Sequence, residues 1–257
     1  MKRLARCLAS LGVVALGWPG AAWAQAAPVA DSFADRPLIL LVALAALSLL
    51  PFVLMMITSF VKVAVVLSLV RSALGTPNMP PTTVITGLAI ILTVYVMAPV
   101  GMEVYREAAP LVDSSRGRPL MSSGTIDLAL RAADRAKEPV RRFLEKHSHT
   151  RDRAMLFDLA KRMRPAKDAE SVSDRDFLVL VPSFVISELK EAFQIGFIIF
   201  VPFLVIDMVI SNILLALGMH MLSPTTVALP FKLLLFVLVD GWYLITRGLV
   251  LGYGGGG

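Results

Sequence analysis

The sequence holds one cysteine, Cys7, and only three histidines in 257 residues. Because Cys7 lies in a predicted signal segment, the mature chain is predicted to have no thiol, which excludes disulfides, cysteine-rich zinc sites and cysteine nucleophiles. His147 and His149 alternate in a charged segment, and two imidazoles without further ligands make an incomplete metal site. We therefore predict no metal site and place both histidines in a solvated loop.

Charged residues are also scarce, at 17% against 56% hydrophobic residues, and the mean hydropathy is +0.74. Ordinary soluble domains are roughly 45–50% apolar and about 25% charged, so this composition favours a membrane protein. No phosphate-binding loop, dinucleotide-binding fingerprint or paired-cysteine motif is present. The net charge of +6 accompanies no nucleic-acid motif. The sequence predicts a protein that is not an enzyme, needs no cofactor and binds no nucleic acid.

Residues 1–24 have the pattern of a secretory signal peptide. Basic residues precede an apolar run from Leu8 to Leu16, which is short for a membrane span of about 20 residues. A small-residue site predicts cleavage between Ala24 and Gln25. Cleavage after Ala26 and an uncleaved N-terminal anchor are the alternatives.

Long apolar stretches follow the signal, and several are too long for one perpendicular span of about 20 residues. They cover Leu38–Val70, Thr83–Tyr105, Leu178–Leu217 and Val227–Leu251. Prolines interrupt them at Pro51, Pro99, Pro182, Pro202 and Pro230. Because proline lacks the amide donor and crowds the preceding turn, we expect Pro51 to kink or divide the first stretch.

The pattern predicts an all-α chain of proline-kinked hydrophobic helical hairpins with a small amphipathic helical subdomain inserted between the second and third hydrophobic stretches. Residues 25–105 hold an N-terminal segment and the first hairpin, 106–176 the polar subdomain, 177–253 the second hairpin and 254–257 a glycine tail. Helical periodicity in the polar subdomain predicts two or three short helices, at Ile126–Ala136, Pro139–Lys146 and Arg153–Met163. With a cleaved signal, this subdomain lies on the outer side of the membrane, since long loops translocate largely regardless of charge.

Charged residues inside the apolar stretches need partners, because a charge in lipid is costly. The residues concerned are Lys62, Glu188, Lys190, Glu191, Asp207, Lys232 and Asp240. Two interpretations compete: a proton or ion relay through a transporter, and structural ion pairs between packed helices and subunits. The residues alone favour neither.

Several segments resemble, in order and spacing, the SctR/FliP family of core export-apparatus proteins in type III secretion systems. They are Met56–Pro81, Gly87–Tyr105, Leu180–Phe197 and Ala228–Trp242. The resemblance covers roughly Leu38 to Tyr253. It implies a subunit of the export gate in the bacterial inner membrane, with much of its mass at periplasmic level. Unfolded substrate proteins would pass through the pore of that gate.

The resemblance also implies partners. A homopentamer would assemble with SctS/FliQ-type and SctT/FliR-type subunits, and with SctU/FlhB-type and SctV/FlhA-type proteins, inner rod or needle subunits and secreted proteins. The segments MAPVGMEVYREA and FLEKHSHTRD favour the injectisome branch, whereas a signal peptide is commoner in the flagellar branch. An ion-coupled polytopic transporter, with Asp207, Lys232 and Asp240 as a relay, is the alternative of another class.

The family's methionine-rich pore loop maps onto Gly218, Met219, His220 and Met221. Methionine suits a flexible seal because it is apolar, unbranched and adaptable; a simple turn between helices is the alternative. His220 stands where many relatives have methionine, and it introduces a group that can charge at mildly acidic pH. Under the resemblance, the buried charges are inter-subunit pairs, with Glu188 and Lys232 as the best-matched candidates.

Overall fold

The computed structural model describes residues 37–76, 79–113, 123–165 and 170–254. Within these ranges the chain forms eight α-helices and no strand, which confirms the all-α prediction. The chain divides into two compact units, Met1–Val42 and Ala43–Gly257, and of the first only the start of one helix is described. The predicted cleavage site at Ala24 and Gln25 lies outside the described residues, as do residues 255–257 of the predicted glycine tail.

The first apolar stretch forms two helices, α1 (Pro37–Met56) and α2 (Phe60–Leu74), which bend by 65° at the break between them. Helix α1 continues through Pro51, so this proline does not divide the stretch, and the alternative of a kink at Pro51 stays a prediction. Thr58 lies at the actual break: its hydroxyl donates to the carbonyl of Met55 and accepts from the Phe60 amide. Such side-chain bonds to the backbone compete with the helical ladder.

The polar insert follows the long helix α3 (Thr82–Asp113) and contains α4 (Ser123–His147) and α5 (Thr150–Arg162). Helix α4 runs without a break through Pro139, so the first two predicted segments are one helix. Its apolar side packs on the rest of the chain: Phe143 and Leu144 are buried with Leu180 and Phe184 of the third stretch.

The third stretch is a single helix, α6 (Phe177–Ala216), of 40 residues and therefore about 60 Å long. The fourth stretch is divided into α7 (Pro224–Leu238) and α8 (Gly241–Gly254), which bend by 59°. Asp240 lies at that break with a φ of 51°, in the left-handed region that Asp tolerates better than most residues.

Helix α2 is the centre of the apolar core, because residues one turn apart on it are fully enclosed. Val63, Val66, Leu67 and Val70 are each 0% exposed and belong to one cluster with side chains from α3, α6, α7 and α8. Outside this core, apolar side chains remain open to the surroundings, and Phe197 on α6 is 71% exposed.

Two helical segments, Thr82–Pro110 and Phe177–Ala216, are long and apolar enough to cross a membrane. The number of candidate membrane spans in the described part of the chain rises to as many as four if each bent pair of helices is taken as one span. The exposed apolar faces and the composition agree in requiring lipid or protein neighbours, since soluble monomers rarely expose contiguous apolar patches of more than a few hundred Å².

Candidate functional site

A buried group of charges surrounds Lys62 of α2. Its Nζ lies 3.0 Å from Oε1 of Glu188 and 2.6 Å from Oε2 of Glu191, both on α6. The contact with Glu188 is an ion pair without the alignment of a hydrogen bond. Tyr253 of α8 completes the group: its hydroxyl donates to Glu188, and its ring centre is 4.2 Å from the Lys62 ammonium. Glu188 therefore has both a cation and a hydroxyl from its own chain.

A second ion pair joins α6 to α7. Nζ of Lys232 lies 2.7 Å from Oδ2 of Asp207, and it donates at 3.4 Å to the carbonyl of Ala73 in the last turn of α2. A cation at this position suits the negative end of the α2 dipole. The chain turns away directly after Ala73 and Leu74 at Gly75, whose φ is 75°.

Within the chain, Glu188 does not pair with Lys232. Glu188 and Asp207 lie on one continuous helix and are separated along its axis by about 28 Å. A single lysine on α7 cannot reach both acids, and Lys232 lies beside Asp207. Asp240 is exposed in this chain. Whether these charges also face other subunits stays a prediction.

Asp152 fastens the polar insert to α6. This buried residue in the first turn of α5 accepts hydrogen bonds from Ser187 Oγ, at 3.0 Å, and from the ammonium of Lys190. The amide of His149 donates in turn to Ser187 Oγ at 2.9 Å. The hydrogen bond from Lys190, followed by that from Ser187, holds the pKa of the Asp152 carboxyl below its usual range.

His147 and His149 have different environments. The ring of His147 packs between those of Phe143 and Tyr253, with centroid distances of 4.8 Å and 4.9 Å. Burial, with smaller contributions from the nearby lysines, lowers the pKa of His147 to about 4. The prediction of a solvated loop is wrong for His147, while His149 is half-exposed, with Nε2 3.5 Å from Oε1 of Glu191. In the described ranges no three His, Cys, Asp or Glu side chains group as metal ligands.

The segment Gly218, Met219, His220 and Met221 is an exposed turn between α6 and α7. Gly218 has a φ of 74°, and its amide and that of Met219 donate to Leu215 and Leu214, closing the end of α6. This is the glycine termination common at helix C-termini. Met221 is 99% exposed, so its side chain is available to a neighbouring molecule.

Comparison with known proteins adds to this geometry. The model of the FliP family matches residues 43–249. The chain is 46% identical over 218 residues to Yop proteins translocation protein R of Yersinia pestis, covering 84% of this chain and 96% of that protein. The chain belongs to the FliP family. This confirms the family resemblance that the sequence motifs indicated, and it makes the protein a type III secretion export-gate protein of the bacterial inner membrane.

Relatives of this FliP family protein come from both branches of the family. It is 45% identical over 212 residues to flagellar biosynthetic protein FliP of Bacillus subtilis (strain 168), covering 82% of this chain and 89% of that protein. It is 42% identical over 214 residues to hypersensitivity response secretion protein HrcR of Ralstonia nicotianae, covering 83% and 96%. The family is therefore decided, and identity alone leaves the branch open.

Sequence reasoning on this FliP family protein noted Lys190 and Glu191 as charges without partners and left Ser187 and Tyr253 out of the ion network. Ser187, Glu188, Lys190 and Glu191 all belong to the segment SELKE. A signal was present, because a serine and three charges in one turn of an apolar helix all need partners. Tyr253 lies beyond the region that the family model matches, and an aromatic residue near the end of an apolar helix carries no local sign of a polar partner.

Proposed function

We propose that this protein is a core subunit of an injectisome export gate, in which copies of the chain and partner subunits enclose a pore for unfolded proteins. The observation that carries the proposal is the exposed turn at Met219–Met221, which joins two apolar helices and has its side chains free for neighbours. Several copies of such a turn around one axis form a deformable ring that is apolar except at His220, since methionine adapts its shape to its contacts.

The charges of the chain support assembly with other proteins. Oδ1 of Asp207 is buried without a hydrogen-bond partner in the described part of the chain, although the residue as a whole is partly exposed. Buried polar atoms are nearly always paired in finished structures. A donor from an adjacent subunit satisfies this atom and makes Asp207 an inter-subunit contact in addition to its pair with Lys232.

The proposed assembly is a homopentamer with the SctS/FliQ-type and SctT/FliR-type subunits. SctU/FlhB-type and SctV/FlhA-type proteins, inner rod or needle subunits and secreted proteins are its further contacts. Much of its mass stands at periplasmic level, which places the ion pairs of α2, α6 and α7 in protein rather than in lipid. The injectisome branch is proposed on the segments MAPVGMEVYREA and FLEKHSHTRD, since relatives from both branches are about equally identical to this chain.

The transporter alternative requires Asp207, Lys232 and Asp240 to form one relay. Asp240 lies beyond the end of α7, about 12 Å along the helix from Lys232. Family membership favours the export gate, and the two readings differ in stoichiometry. The native mass of the detergent-extracted complex separates a pentamer that carries other subunits from a transporter monomer or dimer.

Disulfide trapping tests the pore. The natural cysteine is at position 7, so a Cys7→Ser background with Met221→Cys has a single thiol in each chain. Oxidation of the assembled gate is expected to join neighbouring chains, because a ring brings these turns together. Lys137→Cys, exposed on α4, is the matched control and should stay unlinked. Absence of linked chains in a complex with the mass of a pentamer would contradict the pore assignment.

His220 gives this ring a proposed pH response. Its exposed imidazole lies beside Met219 and Met221, and histidine is a common pH-sensitive group in proteins. Repulsion between like charges around one axis should loosen closure at the acidic end. Ion leak through the assembled wild-type gate should therefore rise on acidification, whereas leak through His220→Met should stay constant. The same pH dependence of leak in both proteins would contradict the proposal.

A further inference from the structure

Helix α5 of the polar insert has three exposed apolar side chains at helical spacing. Met155, Leu159 and Met163 are 47%, 44% and 85% exposed. Residues four apart lie one above the other on a helix, so these three side chains form a stripe about 12 Å long. Met163 directly follows α5 and keeps a helical conformation, which continues the row. Apolar residues at this spacing are the anchors by which a helix contacts a partner helix or groove.

The contacts that hold α5 on the rest of the chain lie outside this stripe. Asp152 accepts hydrogen bonds from Ser187 and Lys190 of α6, and Leu156 and Phe157 of α5 are half-buried. Helix α5 is therefore fixed in place without the help of the exposed row. The stripe stays open in the described part of the chain, on a helix whose position is already determined.

Two arginines border the stripe. Arg151 lies four residues before Met155, and Arg162 lies three residues after Leu159, so both are on the same side of the helix as the stripe. Neither has a carboxylate within 4.0 Å among the residues that the structure describes. Asp158 is exposed on this side too, and within the described ranges it also forms no ion pair of that length. The stripe is thus accompanied by an excess of positive charge.

The surroundings of the stripe favour an acidic protein as its occupant. From Thr150 to Arg164 the chain has five basic and two acidic residues, and the charge of one acid, Asp152, is taken up by Lys190. A second copy of the chain would bring a net charge of +6, which is of the same sign. Helix α5 belongs to none of the segments that are long and apolar enough to cross a membrane. Complementary charge across an interface favours the right partner over wrong ones.

We propose that the face formed by Met155, Leu159, Met163, Arg151 and Arg162 binds an acidic amphipathic helix of a partner protein. The apolar residues of that helix lie along the stripe, where the methionines adapt to their shape. Its carboxylates pair with the two arginines, as charges beside an apolar seam do in paired helices. The proposal rests on the proposed assembly of this chain with other subunits, and it gives one of them a binding position on the polar insert.

Peptide binding to the full chain, produced without the other secretion proteins and extracted in detergent, tests this face. The acidic probe is a labelled helical peptide with leucines at i, i+4 and i+8 bordered by glutamates, and its matched control has lysines in place of the glutamates. Fluorescence anisotropy, with protein-free micelles as the blank, should show binding of the acidic peptide about tenfold tighter than that of the lysine peptide.

Arg151→Glu with Arg162→Glu should reverse this preference, because two attractions become repulsions for the acidic peptide and the opposite holds for the lysine peptide. Arg135→Glu with Lys137→Glu is the matched control, since both residues are exposed on α4 and the net charge changes by the same amount. Its preference should remain that of the wild type.

Met155→Ser with Leu159→Ser leaves the charge unchanged and should weaken binding of the acidic peptide about tenfold, because the apolar contact is lost. Thermal unfolding like that of the wild type would show that the loss is confined to this face. Equal loss in the α4 variant, or wild-type affinity in the serine variant, would overturn the proposal.

Failure of the wild type to bind the acidic peptide, equal binding of both peptides, or an unchanged preference in the arginine variant would also overturn it. A lower oligomeric mass of the arginine variant would make the face a contact between copies, and displacement of the peptide by vesicles of phosphatidylglycerol but not of phosphatidylcholine would make it a membrane surface. Both outcomes overturn the acidic partner. The native mass of the complex from cells tests the proposed function separately: a pentamer that carries other subunits, but whose α5 binds no acidic peptide, contradicts this binding face alone.

Discussion

Lys62 on α2 and Glu188 on α6 form an ion pair in which the two side chains are 3% and 0% exposed. Because both are closed to water, the loss of Lys62 leaves Glu188 with a buried charge and no cation, which costs about 3–5 kcal/mol. Replacing both partners by neutral residues removes the ion pair and leaves no unpaired charge in the buried site. A single substitution of Lys62 should therefore destabilise the protein much more than substitution of Lys62 and Glu188 together.

Lys62→Met should lower the free energy of unfolding by about 3–5 kcal/mol. The double variant Lys62→Met with Glu188→Gln should recover most of this loss, since a neutral amide needs no cation. Unfolding in detergent followed by circular dichroism measures both. Lys137→Met removes an exposed pair and should change stability by less than about 1 kcal/mol. If the double variant were as unstable as Lys62→Met, Lys62 would not be the residue that compensates the buried charge of Glu188.

Lys232→Ala should block assembly, because it leaves Asp207 and the carbonyl of Ala73 without their cation. Exchange of the pair, by Asp207→Lys with Lys232→Asp, should partly restore the assembled complex. The exchange of Glu188 with Lys232, which sequence reasoning favoured, should not restore it, since these two residues have different partners. Native electrophoresis of extracted membranes gives the assembled fraction. Assembly restored by the Glu188–Lys232 exchange, but not by the Asp207–Lys232 exchange, would contradict the pairing of Asp207 with Lys232.

Gly196→Ala should destabilise the contact between α2 and α6. A Cβ at this position would lie 2.3 Å from Cδ1 and 3.2 Å from Cβ of Leu69, and such overpacking costs about 1–3 kcal/mol. Leu69→Ala in the same chain should relieve the clash and give a measurable coupling in a double-mutant cycle. Gly101→Ala is the control, because nothing lies within 4 Å of its position and helical glycine is less stable than alanine by roughly 0.5–1 kcal/mol.

His147 should make the protein sensitive to mild acid. Its folded pKa of about 4 lies below the ordinary 6.5, so between these values the unfolded chain binds a proton that the folded chain does not. Stability is then lost as the pH falls from about 6.5 to about 4. His147→Phe keeps a ring between Phe143 and Tyr253 and should flatten this part of the curve.

Melting temperatures at pH 7 and pH 4.5 test the role of His147, and His220→Gln on the exposed turn controls for the loss of a histidine. If His147→Phe and wild type lost the same amount of stability between the two pH values, the buried ring would not be the source of the acid sensitivity.

Structural features that depend on residues close together in the sequence were predicted well. The apolar runs and their glycine and proline boundaries indicated an all-helical chain, and the turn at 218–221 lies where its glycine predicts. Helix breaks were predicted less well: α4 passes through Pro139, and the first stretch breaks near Thr58 rather than at Pro51. A proline weakens a helix locally, but packing of the surrounding turns determines whether the helix continues.

The partners of the buried charges could not be read from the chain. Lys62 and Glu191 are 129 residues apart, and Glu188 and Tyr253 are 65 residues apart. The pairing of lysines with acidic residues depends on the position of each residue along its helix. The sequence did not define the lengths of these helices. The unbroken 40 residues of α6 separate Glu188 from Asp207 too widely for a shared lysine, and that distance follows only from the continuous helix.

The open apolar side chains have a consequence for the life of the protein in the cell. Phe197 and Val237 are 71% and 72% exposed on a chain without neighbours, and such surfaces attract chaperones and proteases. A newly made copy that finds its partners is protected by mass action, whereas an orphan copy is removed. The amount of this protein is therefore expected to follow the supply of its partners rather than its own rate of synthesis.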